Sequence, residues 1–193
     1  FNIGALYTQI GAKQDLTKSK SLDAAVDSFL RAAGTFKYIY DNFTNAPSMD
    51  LGPSMLEMLV QLMLAQAREC LFQKLQIQSE SNRSSAINLD LAQEAAQVSQ
   101  VFQEVADLFD NDKVQNYVPY SWRALTNVKH EFYSSLAHFH CSRAILESSD
   151  CIQDKAVRDT LHYLHDSGEC DKRPQVEILV PNDEAEQKVL GKA

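Results

Sequence analysis

His138, His140 and Cys141 form the densest cluster of metal-binding and nucleophilic side chains in the sequence. A zinc site needs three or four such ligands converging on one point, and two histidines two residues apart on a helix project about 200° apart. They cannot share an ion, and Cys141 beside them does not repair the spacing. His162 and His165, three residues apart, do share a helical face. No carboxylate stands at a matching interval, so they read as a solvated helix edge. The remaining cysteines, Cys70, Cys151 and Cys170, make no CxxC pair with one another or with Cys141. That spacing suggests neither a disulfide framework nor a zinc knuckle and fits a reducing compartment. No G-x-S-x-G elbow, P-loop, dinucleotide glycine fingerprint or H-E-x-x-H occurs. The acidic residues are scattered along outer helical faces, as solvated carboxylates are. The reading is of a non-catalytic protein that uses neither metal nor cofactor.

The elements that carry these residues belong to an ordinary globular chain. Its 193 residues, 45% apolar and 23% charged, suffice for one domain with a substantial core. A net charge of −8 argues against general nucleic-acid binding, which needs clustered Lys and Arg to neutralise phosphates. Lys13, Lys18 and Lys20 are offset by Asp15, Asp23 and Asp27 and read as a solvated loop. No apolar run approaches the roughly 20 residues that cross a bilayer, so no transmembrane segment is expected. The opening "FNIGALYTQIGAKQ" lacks a basic leader and reads as the middle of a helix, and helical pattern still runs at "EAEQKVLGKA". The expectation is a fragment, truncated at both ends.

Six glycines and five prolines leave room for long helices. Leu22, Ala25, Val26, Phe29, Ala32, Ala33, Phe36, Ile39, Tyr40 and Phe43 recur at the spacing of one wide helical stripe. After "TNAPSMDLGPS" a helix opens either with Gly52 as cap and Pro53 in its first turn, or with a Ser54-x-x-Glu57 capping box, and runs to about Ile77. Its Met55, Met58 and Met63 read as pliable core filler. A fourth helix spans Ile87 to Phe109, and "VPYSW" opens a fifth bearing Trp122, Leu125, Phe132, Leu136, Phe139 and Ile145. Weaker helices are expected at about 151–166 and from 183 onward, with 176–180 extended. Strict alternation of apolar and polar residues is almost absent, so the fold class is all-α. The A-x3-F spacing of residues 22–43 is similar to tetratricopeptide helices, and the architecture expected is a TPR-like curved helical solenoid, irregular in repeat.

Within the third helix, "LMLAQAREC" (residues 62–70) places Gln66, Arg68 and Glu69 inside an otherwise apolar run. Gln66 and Glu69 read as inter-helix hydrogen bonders or surface, and Arg68 and Glu69 as solvated, so that these positions serve architecture and not chemistry.

"FNIGALYTQIGA", "RAAGTF", "PSMDL", "LMLAQAREC" and "YVPYSW", in that order, make the chain resemble the Alix/rhophilin family of BRO domains, with the first and last stretches nearest the rhophilin branch. The resemblance runs from Phe1 to about Ile145 and resumes at "LGKA". It implies that residues 1–193 are part of a single BRO domain, a curved helical protein-docking scaffold. It also implies a parent protein of the Rho-effector kind, acting in signal transduction to the actin cytoskeleton and binding Rho GTPase through a module outside this segment. The location implied is cytoplasmic, peripheral at endosomes or cytoskeleton.

In the Alix branch an apolar patch receives an amphipathic helix from an ESCRT-III subunit. The resemblance places that protein-binding patch at Leu71, Ile87 and Leu91, with Lys74 beside it. Leu71 replaces an aromatic ring, a shallower anchor. The family's flanking acid and two lysines fall on Ser19, Asp23 and Asp27, which reverses the local charge. If Leu71, Ile87 and Leu91 face solvent together, the patch is a partner site; if they lie between the third and fourth helices, they are core.

Overall fold

The computed structural model describes residues 1–43, 51–80 and 84–147, together with Ser48 and Asp159. Among these residues there is no strand. The helices are α1 (Asn2–Ala12), α2 (Ser19–Asn42), α3 (Pro53–Ser79), α4 (Ser85–Phe109), the single turn α5 (Asp112–Gln115) and α6 (Tyr120–Glu147). The helices expected at 151–166 and beyond 183, and the extended stretch at 176–180, lie outside the described residues, apart from Asp159, which is helical.

Local chemistry sets the helix ends. Of the two openings open to α3, the structure uses Gly52 as the cap with extended backbone and Pro53 in the first turn, where its missing N–H has no partner to lose. Ser84 begins α4 by accepting a hydrogen bond from the Ile87 N–H at 3.3 Å. Asn111 does the same for α5, accepting from the Lys113 N–H at 3.0 Å. That turn buries Val114 completely.

Successive long helices run antiparallel. Gly4 faces Phe36 and Gly11 faces Phe29, so α1 lies head to tail on α2. A Cβ at Gly4 would stand 2.8 Å from the Phe36 ring and one at Gly11 would stand 2.9 Å from Phe29. Glycine is what lets the two backbones close over the rings. Asp23 near the start of α2 pairs with Lys74 near the end of α3. Ser85 Oγ donates to the Ala144 carbonyl at 3.0 Å, Asn88 Nδ2 to Glu147 at 2.7 Å and Ser99 Oγ to the His130 carbonyl at 2.9 Å, which fixes α6 along α4.

Helices α2, α3 and α4 lie side by side, α1 packs on α2 and α6 packs on α4. Gly11 and Ala12 at the end of α1 and Lys129 of α6 border one cleft over α3. Both therefore cover the same side of the sheet of helices, the inner face. The core between the layers holds Leu22, Phe36, Met58, Phe72, Phe102, Phe109 and Val105. Met55, Met58 and Met63 are buried in it, as filler.

Helix α6 departs from its sequence pattern. Trp122, Leu125, Phe132 and Phe139 are exposed, whereas Thr126, Tyr133, Ala137, His140, Cys141 and Ala144 are buried. The buried arc mixes the small Thr126, Ala137, Cys141 and Ala144 with Tyr133 and His140, and α4, on which it packs, buries Ala92, Ala95, Ala96 and Ser99.

Candidate docking site on the third helix

The stretch from Leu62 to Cys70 is at the middle of α3, and its polar residues face two different environments. On the inner side Glu69 is ion-paired with Lys129 of α6, and Tyr133 Oη donates to Glu69 Oε1 at 3.0 Å. The carboxylate side chain retains only 13% of its exposure, so of the readings open to it Glu69 is the inter-helix hydrogen bonder and not a solvated residue. Burial, then the charge of Glu69, pushes the Cys70 thiol up to about 11. Cys70 is thus a protonated core thiol and no nucleophile. Burial, then Glu69, also raises the Tyr133 phenol. Gln66, Glu69, Cys70 and Gln73 floor an inner cleft of about 180 Å³.

Arg68, expected in solvent, keeps 36% of its side-chain exposure while it reaches Glu94 of α4 at 3.2 Å, with its Nε buried. Its neighbour Leu71 projects from the outer face and is 50% exposed. Lys74, one turn further on, pairs with Asp23 at 2.6 Å. Leu71 therefore stands between a tie to α4 and a tie to α2.

The structure does not bring the four patch residues onto one surface. Leu71 and Lys74 share the outer side of α3. Ile87 is half-buried, and Leu91 is 3% exposed and part of the core. Ile87 and Leu91 line an inner cleft of about 180 Å³ with Leu136, Phe139 and His140. Of the two alternatives, Leu91 takes the core one, with the α6 residues that line this cleft lying over it. The charge-reversed positions are also partnered within the chain, Asp23 with Lys74 and Asp27 with Arg31 at 2.7 Å. A local pattern could not show the Asp23 to Lys74 tie, because 51 residues separate the partners.

The histidines stay apart as their spacing requires. His140 is buried, with Nδ1 3.3 Å from Asn88 Oδ1 and no partner for Nε2, and burial followed by Arg143 holds its pKa below the usual 6.5. His138 is half-buried on the adjacent arc. His162, His165, Cys151 and Cys170 lie outside the described residues. Among the described residues no three His, Cys, Asp or Glu side chains are grouped to hold a metal ion, and no helix is long and apolar enough to cross a membrane.

Layered antiparallel helices define a helical scaffold. The model of the BRO1-like domain matches residues 1–167, and this chain belongs to that family. Human rhophilin-1 is 39% identical over 194 residues, covering all of this chain and 28% of rhophilin-1. Human rhophilin-2 is 41% identical over 147 residues, covering 76% of this chain and 21% of that protein. The chain thus spans between a fifth and three tenths of the relatives it matches. Among solved structures, an ALIX BRO1 and CHMP4C complex superposes with a TM-score of 0.68 at 22% identity, over 83% of this chain and 43% of the other. A structure of ALIX with the SIVmac239 PYKEVTEDL late domain gives the same score at 23% identity, over 85% of this chain and 22% of that one. The curved helical fold is common to all three.

Proposed function

We propose that this chain is a portion of one BRO domain in a rhophilin-like Rho effector, a non-catalytic protein-docking scaffold in signalling to the actin cytoskeleton. Rho GTPase binding belongs to a module outside residues 1–193, and the working location is the cytoplasm, peripheral at endosomes or cytoskeleton. The docking surface is the outer side of α3 around Leu71 and Lys74, while Ile87 and Leu91 line the inner cleft against α6. The observation that carries this reading is Leu71, a large aliphatic side chain 50% exposed between the Arg68–Glu94 and Lys74–Asp23 ties. Rigid flanks around an exposed apolar residue suit a partner's helix. Each aliphatic side chain fully buried on binding contributes roughly 1.5–3 kcal/mol, set against association costs of several kcal/mol.

A second reading, recruitment of an ESCRT-III subunit in endosomal sorting, is favoured by the fold shared with the ALIX BRO1 and CHMP4C complex. Calorimetry of an ESCRT-III tail helix against the full-length protein, wild type beside Leu71→Asp, separates the two. Binding that is lost in a folded mutant moves the protein to the endosomal reading. No heat with folded wild type leaves the Rho-pathway scaffold, whose BRO ligand is another protein.

A further inference from the structure

Helix α6 carries a second, unpartnered arc built for packing. Leu125, Phe132, Phe139 and Leu146 are each more than half exposed and stand seven residues apart. Ser121, Val128, Ser135 and Ser142 are exposed beside them, again seven apart. Two such lines, offset by three and four residues, make the 3.5-residue repeat of a helix that faces another helix. None of these positions is charged. Arg143 and Glu147, at the border of the arc, pair with each other at 2.7 Å. The free arc of α4 shows the contrast, because Asp90, Gln93, Gln100, Glu104 and Asp107 are exposed along it, as solvent requires.

The order of the fold and the extent of the family point to what lies on this arc. Each long helix rests on the long helix before it, and α6 is the last of the series among the described residues. The family model runs to residue 167, whereas α6 ends at Glu147, so the BRO domain continues past this helix. The ALIX BRO1 chain that shares the fold is covered only to 43%. Length then selects the segment. The seam from Ser121 to Leu146 is about 39 Å long, and a helix over 151–166 would span about 24 Å, too short to cover it. The helical pattern that opens near residue 183 sets Val189, Leu190 and Ala193 on one face and still runs at residue 193.

We infer that α6 is an interior helix of the whole domain, and that the helix opening near residue 183 and running on in the full-length protein lies along its outer arc, over Leu125, Phe132, Phe139 and Leu146. An uncharged seam accepts an apolar stripe, whereas a charged surface laid there would lose its water without a partner. The serines let the two axes approach toward the short end of the usual 8–10 Å range. This goes beyond the docking reading and does not depend on it: α6 offers partners no free apolar face, which leaves recognition to other surfaces.

The test uses the full-length protein carrying Ser135→Cys, a nearly isosteric change at the middle of the seam. Its modification by a maleimide is followed by peptide mass spectrometry on folded protein, with Gln100→Cys on the polar arc of α4 as the open reference. The expected result is labelling about a hundredfold slower at position 135 than at position 100, with the same ratio at low and high protein concentration. Adding Leu190→Asp should bring the two rates together. Equal rates without that change mean an open face and overturn the inference. Protection that appears only as protein concentration rises assigns the seam to a second copy, and protection that survives Leu190→Asp in folded protein assigns it to another segment. Either result overturns it as well.

Discussion

Leu71 and Glu69 stand two residues apart on α3 and face opposite conditions. Leu71 is half exposed on a surface of leucines, whereas Glu69 is enclosed between an ammonium and a phenol contributed by α6. The inner face of α3 thus carries a carboxylate held by α6 within an otherwise apolar core, and its outer face carries a leucine that no described residue buries. A part-buried ion pair adds little net stability compared with apolar packing, but it punishes misplacement heavily, so Glu69 sets where α6 rests on α3. Leu71 adds little to the fold and is free for recognition.

That contrast can be broken from the inside first. Glu69→Ala leaves the Lys129 ammonium and the Tyr133 hydroxyl without their acceptor, and should lower stability by about 3 kcal/mol in chemical denaturation. A loss below about 1 kcal/mol would mean that the pair is solvated and the two faces are alike. Next, Gly11→Ala drives a methyl to 2.9 Å from the Phe29 ring. Overpacking there should cost about 1–3 kcal/mol, read as a lower melting temperature.

The inner seam also has a pH signature. Because the folded-state pKa of His140 lies below its unfolded value of 6.5, the unfolded chain takes up the proton first as pH falls. Stability is complete above 6.5 and declines as pH drops through the interval between the unfolded and folded values. His140→Gln should flatten melting temperature against pH in that interval, and an unchanged slope would assign the acid sensitivity elsewhere. The outer face should answer with the smallest effects. Leu71→Asp should leave the melting temperature within a degree or two, equivalent to roughly 0.5 kcal/mol. Gly34→Ala should raise stability by about 0.5–1 kcal/mol, since helix propensity improves with no neighbour to disturb.

The long helices were legible because apolar residues at three- and four-residue spacing leave few alternatives over six or seven turns, and the Gly52–Pro53 opening was one of two the local chemistry allowed. The family was legible from several short stretches in order. The burial side of α6 was not. Which of its two apolar-compatible arcs is buried depends on what α4 presents to it, which no periodicity within α6 can report. The patch at Leu71, Ile87 and Leu91 failed as a single surface for a related reason: Leu136 and Phe139 beside Leu91 come from a helix more than forty residues away in sequence. Glu69 was read as architectural, yet its partner Lys129 is 60 residues off, beyond any local pattern.

The glycine and phenylalanine contacts of α1 have a mechanical consequence. Gly4 over Phe36 and Gly11 over Phe29 are spaced seven residues apart on both helices, so they work as two teeth of a rack. Sliding α1 along α2 by one residue would force side chains at neighbouring positions over both rings at once. A pull along the axis of α1 is therefore resisted in shear by two contacts loaded together, and passes into α2 without first loosening the helix ends.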